Sequence, residues 1–292
     1  MFNIESYENI KKLVQVELDQ VDEFVFNINS IYPDFDNALI DYFKAPSKKI
    51  RSVISFLFFK SLGYEISENI IKLQASIEII HNATLIHDDI IDKSDLRRGL
   101  KTFNSKFDNS LAVISGDYLL SVALRHLLSL DNCEILNIFA DTIDKMCVGE
   151  IHQYFDKFKI PSIEEYIEKS KAKTASLFSA EFESISVLCG FDKNVALEFA
   201  NNFGIAFQIR DDILNFSNKD NKPLYNDYEA GIYTAPVIYA GGKLENISVG
   251  IEKAKQLLDN YLCACRDILN KIVKGDNIYK CAIFNILDLF SL

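Results

Sequence analysis

Apolar residues recur at three- and four-residue steps along most of the chain, and this spacing limits the fold to long helices. The pattern predicts helices over nine segments: about 5–28, 48–62, 67–92, 109–129, 133–157, 163–188, 193–216, 247–273 and 277–290. Ser162 and Glu165 have the spacing of a capping box at the start of one of them. Only 11 glycines and 5 prolines interrupt 292 residues, which argues against a β protein with many turns. We predict an all-α fold.

Several predicted helices, such as NIIKLQASIEIIHNATLI, are apolar on nearly every side. Helices of this kind are buried all round, so the sequence predicts a large bundle with an inner layer of helices, or a substantial subunit interface. Two polar segments, about 94–108 and 217–233, are expected to be loops. Neither resembles a flexible linker, and we therefore expect a single domain over residues 1–292.

The chain carries a formal net charge of -11, which argues against binding to nucleic acid or to an anionic membrane surface. Its first 20 residues are acidic and amphipathic, unlike a signal peptide. The most apolar stretch, LAVISGDYLLSVALRHLL, contains Asp117 and Arg125, and we expect no transmembrane segment there. The six cysteines form no CxxC pair, so we expect reduced cysteines, mostly in the core, and a cytoplasmic protein.

A first cluster of charge lies in LIHDDIIDKSDLRRG, directly after an apolar run. Asp88 and Asp92 are four residues apart, about 40° on a helix, so their carboxylates share one face. They repel each other unless a cation lies between them, and oxygen ligands suit Mg²⁺. His81 and Thr84 lie on the same stripe, two turns and one turn earlier. The alternative is a solvated acidic helix end.

A second cluster ends another apolar helix, in GIAFQIRDDILNF. On a helical projection Gln208, Asp211, Asp212 and Asn215 fall on one side. Gly204 lies on the same stripe one turn earlier and leaves space there. Two acidic clusters that each emerge from a buried helix predict opposite walls of one site.

Several cationic residues could contribute to the same site as these carboxylates. Lys48 and Arg51 stand at the start of an apolar helix, Arg97 and Arg98 follow the first aspartates, and Lys173 precedes Thr174. Arginine and lysine are the side chains that bind pyrophosphate oxygens, arginine with bidentate geometry. Taken alone, each of these lysines and arginines would be interpreted as an ordinary surface charge. Together with two acidic clusters they predict one or two bound pyrophosphates.

From about residue 45 to 240 the sequence resembles the trans-isoprenyl diphosphate synthase (polyprenyl synthetase) family, and within it the bacterial long-chain, octaprenyl-type enzymes. The resemblance rests on HDDIIDKSDLRRG, SGDYLL, KTASLF and FQIRDD, in family order. It implies a bundle of roughly 10–13 helices around a central cavity, the isoprenoid synthase type. It also implies a Mg²⁺-dependent prenyltransferase that condenses isopentenyl diphosphate with an allylic diphosphate, and a homodimer.

The resemblance also implies roles for single residues. Two to three Mg²⁺ ions would be bound by Asp88, Asp92, Asp211 and Asp212. Isopentenyl diphosphate would be bound by Lys48, Arg51, His81 and Arg98. The allylic diphosphate would be bound by Arg97, Lys173, Thr174 and Gln208. The residues most directly tied to catalysis would be Asp88, Asp92, Lys173 and Asp211.

The chain departs from the family pattern at three places. Pro46 and Ser47 stand where Gly-Gly is usual, Asn215 replaces the third aspartate of the second motif, and Ile232 replaces a lysine. The missing phosphate contact at 232 could be supplied by Lys222. A weakly active or regulatory subunit of a heterodimeric synthase is therefore an alternative. A terpene cyclase is another, although the cations assigned to isopentenyl diphosphate argue against it.

Product length is expected to depend on Ala83 and Thr84. In the family, bulky aromatic residues four and five positions before the first motif give short products. Both side chains are small here, which favours 1′-4 elongation to a chain beyond C20. A shorter-chain farnesyl or geranylgeranyl diphosphate synthase is the alternative.

Overall fold

The computed structural model describes residues 3–30, 32–216 and 226–292. The α-helices in this part of the chain are α1 Ile4–Lys11, α2 Gln15–Phe26, α3 Pro33–Lys44, α4 Ile50–Ser61, α5 Glu68–Ile91, α6 Phe103–Lys106, α7 Asn109–Leu128, α8 Cys133–Phe155, α9 Ile163–Ser170, α10 Ser176–Cys189, α11 Lys193–Leu214, α12 Asn226–Glu229, α13 Ala235–Tyr239, α14 Ile247–Ile272 and α15 Ile278–Phe290. A single hairpin of β1 Leu96–Arg97 and β2 Leu100–Lys101 is the only sheet in these residues. The predicted all-α fold is confirmed.

Helix boundaries follow local chemistry. The capping box at the start of α9 is present, with Ser162 and Glu165 each bonded to the other's backbone N–H. The structure divides the predicted helix 163–188 at a π-helical turn, Lys171–Ala175. Helix α3 was not predicted, although it has a proline at its first turn and Asp34 and Asp36 beside it, which suit a helix N-terminus.

The chain divides into two compact units. The N-terminal unit comprises Lys11–Phe59 and Tyr64–Leu136. Its central helix, α5, packs along α7 and α2. Buried side chains occur all around α5, as its all-round apolar sequence predicts. The close packing of α5 on α7 uses Gly116, where an added Cβ would lie 2.1 Å from the ring of His87.

The C-terminal unit comprises Met1–Ile10, Lys60–Gly63 and Asn137–Leu292. Helix α11 is central here and packs on α10, α14 and the π-turn. A cluster of aromatic rings joins α10, α11 and α15, including Phe178, Phe203 and Phe290. The organisation of residues 1–292 as a single domain stays a prediction.

The structure bears on the expected burial of the cysteines and on the most apolar helix. Cys133, Cys147, Cys263 and Cys281 are exposed and only Cys265 is buried, so the expectation of mostly buried cysteines is wrong, although all six are free. Within the described residues, α7 is one helix long and apolar enough to cross a membrane by length and composition alone. A core helix passes the same test, and the absence of a transmembrane segment stays a prediction.

Candidate active site

The first aspartate cluster lies at the C-terminal end of α5. Helix α5 ends at Ile91, and the backbone N–H of Asp92 donates to the Asp88 carbonyl at 2.8 Å. The two residues are therefore one helical turn apart, with Asp88 half-buried and Asp92 exposed. The carboxylates emerge where the buried part of the helix stops, as the sequence predicted.

Asp89 lies between these two aspartates in the sequence, but its side chain binds an arginine. Its side chain is 1% exposed, and Oδ1 accepts from Nε and Nη2 of Arg97, both at 2.8 Å. Burial raises the pKa of Asp89, and the Arg97 guanidinium opposes this rise. Asp95, in the segment after α5, accepts from Ser105 Oγ at 2.6 Å. Asp89 therefore fixes the orientation of Arg97.

The arginine pair lies on the β1–β2 hairpin, inside a segment expected to be a loop. Leu96 pairs with Lys101 and Arg97 with Leu100, so Arg98 and Gly99 form the two-residue turn. Their φ angles are +52° and +80°, which is the type I′ pattern that matches strand twist. A left-handed conformation costs a non-glycine residue about 1–2 kcal/mol. Within the hairpin, Arg97 pairs with Asp89, and Arg98 is exposed at the turn.

Three arginines lie near enough to His81 to lower its pKa. The pKa of its half-buried imidazole is held well below the usual value by burial first, and then by the guanidinium groups of Arg51, Arg98 and Arg97. His81 is therefore neutral at pH 7 and can offer an N–H donor but no charge. Lys48 is exposed at the start of α4. The structure brings together three of the predicted diphosphate-binding arginines around one neutral histidine.

Tyr42 was missed by sequence reasoning. It is 7% exposed and its hydroxyl has no hydrogen-bond partner among the described residues. Burial raises its pKa, the charges of Arg97 and Arg98 lower it, and the charge of Asp89 raises it further. Tyr42 lies on α3, some 45 residues before the motif, and no local pattern connects the two.

In the C-terminal unit, Asp212 is the buried member of the second cluster, with 3% exposure. Its Oδ2 accepts from the Tyr166 hydroxyl at 2.6 Å and its Oδ1 from Gln208 Nε2 at 2.7 Å. Burial raises the pKa of Asp212 to about 7 despite these two bonds. Asp211 is exposed. Tyr166, on α9, was not found from the sequence.

Lys173 and Thr174 lie in the π-turn, a distortion that is frequent at functional sites. Thr174 Oγ1 donates to Gln208 Oε1 at 2.6 Å, and Lys173 Nζ lies 2.6 Å from Glu150 Oε2. This approach requires Gly204, because an added Cβ there would lie 2.6 Å from Ala175 Cβ. The space predicted at Gly204 is thus filled by the π-turn.

The structure shows the surroundings of Asn215 and Ile232, two of the residues that depart from the family pattern. Asn215 is exposed at the end of α11, and its Nδ2 donates to Asp227 Oδ2 at 3.1 Å. Asp227 therefore adds a carboxylate beside the cluster, which the sequence did not suggest. Ile232 lines a cleft of the C-terminal unit. Lys222 lies outside the described residues.

The residues expected to set product length differ in burial. Ala83 is 0% exposed in the interior of the N-terminal unit. Thr84 is half-buried, and its Oγ1 donates to the His81 carbonyl at 2.8 Å. Their role in product length stays a prediction.

The carboxylate pairs fit a metal that takes only part of its coordination from protein. In residues 3–30, 32–216 and 226–292, no group of three His, Cys, Asp or Glu side chains could hold an ion by itself. Mg²⁺ is commonly bound by one or two carboxylates together with substrate phosphates. The half-buried carboxylate of Asp88 and the exposed carboxylate of Asp92 have the chemistry for such a site.

Comparisons with known proteins agree with this chemistry. A family model described as polyprenyl synthetase matches residues 33–264. A prenyl transferase of Cyanophora paradoxa is 36% identical over 245 residues, 80% of this chain and 76% of the relative. The heptaprenyl diphosphate synthase component 2 of Bacillus subtilis is 33% identical over 235 residues, 78% of this chain and 66% of the relative. A decaprenyl diphosphate synthase structure from Rhodobacter capsulatus has a TM-score of 0.85 at 22% identity, covers 98% of both chains, and shares the fold. The chain therefore belongs to the polyprenyl synthetase family and is an enzyme of the prenyltransferase type.

Proposed function

We propose that this enzyme condenses isopentenyl diphosphate with an allylic diphosphate in a Mg²⁺-dependent 1′-4 elongation that ends beyond C20. The observation that carries the proposal is the group of three arginines around neutral His81, in the same unit as the carboxylates of Asp88 and Asp92. Fixed cations beside a carboxylate pair suit a diphosphate bound both directly and through metal.

Under this proposal, each of the two units contributes metal-binding and diphosphate-binding residues. In the N-terminal unit, Asp88 and Asp92 are metal ligands, Arg97 binds the allylic diphosphate, and Arg51 and Arg98, with Lys48 and His81, bind isopentenyl diphosphate. In the C-terminal unit, Asp211 and Asp212 bind a further ion, and the remaining allylic contacts come from Lys173, Thr174 and Gln208.

The reaction needs stabilisation of charge more than it needs a protein nucleophile. The allylic C–O bond breaks, the alkene of isopentenyl diphosphate attacks the resulting cation, and a proton leaves to the departing diphosphate. Bound Mg²⁺ supplies positive charge to the leaving group. Arg97 and Lys173 supply more, each held by a carboxylate, Asp89 and Glu150, so little reorganisation is needed as negative charge develops.

Incubation with labelled isopentenyl diphosphate, farnesyl diphosphate and Mg²⁺ tests the proposal, with chromatography of the dephosphorylated products. We expect extension beyond C20, and loss of extension in Arg98→Gln and in Asp211→Asn, one substitution in each unit. Folded wild-type protein that extends no substrate contradicts the proposal. Hydrocarbon formed from the allylic substrate alone indicates a cyclase, and products that stop at C15 or C20 indicate a shorter-chain synthase.

We also propose a cytoplasmic homodimer of single-domain subunits that binds no nucleic acid and has no transmembrane segment. Helix α7 supports the dimer, because it exposes large apolar side chains at Val113, Ile114, Leu124 and Leu128. On a helical projection these four residues fall within about 100° of one another, on a side of α7 that also carries Asp117. The name of the Bacillus subtilis relative, component 2, makes a heterodimer the alternative. Light scattering measures the molar mass and tests this proposal. A mass of twice 33.3 kDa supports the homodimer. A monomer that is active only when a second, different chain is added refutes it.

A further inference from the structure

Lys169, near the end of α9, is a cation that the proposed function does not use. It is half-buried, and it forms no ion pair in the part of the chain that the structure describes. Burial and then the Lys173 ammonium lower its pKa, while the carboxylates of Asp212, Glu150 and Asp227 oppose this change. Lys169 therefore lies beside the second aspartate cluster without being neutralised by a direct contact.

The arrangement follows from the helix. Tyr166 and Lys169 have the i, i+3 spacing that places two side chains on one face of α9, and Lys173 follows in the π-turn. Tyr166 donates to Asp212 from α9, and Lys173 pairs with Glu150 from the π-turn. Since Lys173 already occupies Glu150, Lys169 is left with long-range attraction alone. A half-buried ammonium without a bonded anion is costly, which favours an anion bound there for part of the time.

A cleft lies beside Lys169, and its charged lining consists of the carboxylates Asp144, Asp156, Glu165 and Glu168 and the lysines Lys145, Lys159 and Lys169. Its volume is about 640 Å³, and its walls include Tyr166, Lys169 and Ile232. This volume is in the range of ligand-binding clefts. Ile232 contributes no charge to the cleft. Lys169 is the half-buried lysine of the lining, whereas Lys145 and Lys159 are exposed, and Lys159 is already paired with Asp156 at 2.7 Å.

We propose that Lys169 contacts a phosphate oxygen of the allylic diphosphate from this cleft, supplying the positive charge that Ile232 does not. The inference rests on the proposed function, because that function places a diphosphate at the second aspartate cluster. The ligand chemistry is that of a diphosphate monoester, and Lys169 acts as a binding residue with no covalent step.

The first test measures binding of inorganic pyrophosphate with Mg²⁺ by calorimetry. Lys169→Met should weaken binding about tenfold or more, the loss expected for one charge-assisted contact. Lys169→Arg, which keeps the charge, should bind within about threefold of wild type. Lys159→Met is the matched control, a lysine on the same cleft that is already paired, and its affinity should change less than about twofold. Equal affinity in Lys169→Met and wild type overturns the inference.

The second test is a rescue. Ile232→Lys in the Lys169→Met background places an ammonium in the same cleft and should recover most of the lost affinity for pyrophosphate. In steady-state elongation, Lys169→Met should raise KM for farnesyl diphosphate more than KM for isopentenyl diphosphate. Equal rises in both constants contradict the assignment to the allylic substrate. Pyrophosphate binding requires no elongation, so an inactive wild type refutes the proposed function while calorimetry still decides the role of Lys169.

Discussion

Replacing Asp212 by asparagine should stabilise the metal-free protein, and more strongly at pH 8 than at pH 5. Burial raises the pKa of this carboxyl from its usual 3.8 to about 7. The folded state therefore prefers the protonated form, and the stability that this form contributes is fully present below about pH 4 and lost as the pH rises through about 7. Asparagine has the same shape and never ionises.

The size of the effect follows from that difference. About 3 pKa units at 1.36 kcal/mol each give an upper value of about 4 kcal/mol for holding the charged carboxylate in its buried position. Between pH 5 and pH 8 the destabilisation of the folded wild type by Asp212 should grow by about 2–3 kcal/mol, because part of it is already present at pH 5. In Asp212→Asn the amide oxygen can still accept from Gln208, and the amide N–H can donate to the Tyr166 hydroxyl.

Urea unfolding in EDTA at pH 5, 6, 7 and 8 measures the difference between variant and wild type. The advantage of Asp212→Asn should grow steadily with pH, whereas Asp267→Asn, an exposed position in the same unit, should show no trend. Parallel curves for Asp212→Asn and wild type would falsify the reasoning. With Mg²⁺ and pyrophosphate added, wild type should gain stability and Asp212→Asn should gain much less, because it lacks a metal ligand.

Three further substitutions test the site. Asp89→Asn should raise KM for the allylic substrate about tenfold in steady-state assays, since it weakens the two bonds that orient the hairpin arginine. In the control Asp95→Asn, whose side chain accepts from a serine and from no arginine among the described residues, KM should stay within about twofold of wild type. Gly204→Ala should cost about 1–3 kcal/mol in urea unfolding, because the new methyl meets the π-turn backbone; Gly149→Ala, with no neighbour nearer than 3.7 Å, should be neutral or stabilising. Thr84→Phe should shorten the products seen by chromatography, and an unchanged product distribution argues against a role in chain length.

Local chemistry explains why much of the fold could be predicted. The end of α5 at the aspartates, the capping box at Ser162 and the end of α11 at Asn215 all depend on residues within one or two turns of each other. The π-turn was not predictable in this way, because it reflects how α11 packs against it at Gly204. Helix α3 was missed because its short amphipathic pattern competes with a proline and two aspartates that also suit a loop.

The same distinction between local and long-range information applies to the residues of the candidate site. The aspartates and arginines are recognisable because their spacing is local. The partners that orient them are distant: Tyr166 reaches Asp212 across 46 residues, and Asp227 reaches Asn215 across an intervening segment. No periodicity marks a tyrosine or an aspartate for such a role, since both residue types also occur on ordinary solvated faces.

The sequence by itself determined that this chain is helical, where its two carboxylate clusters lie and which family it belongs to, because helical spacing and motif order are properties of neighbouring residues. Only the tertiary structure decided which charges are free to meet a ligand. Asp89 is committed to Arg97, Lys173 to Glu150 and Asp212 to two neutral donors. The physical reason is that burial and long-range contacts set the charge state and orientation of each group, and neither is encoded by the residues beside it.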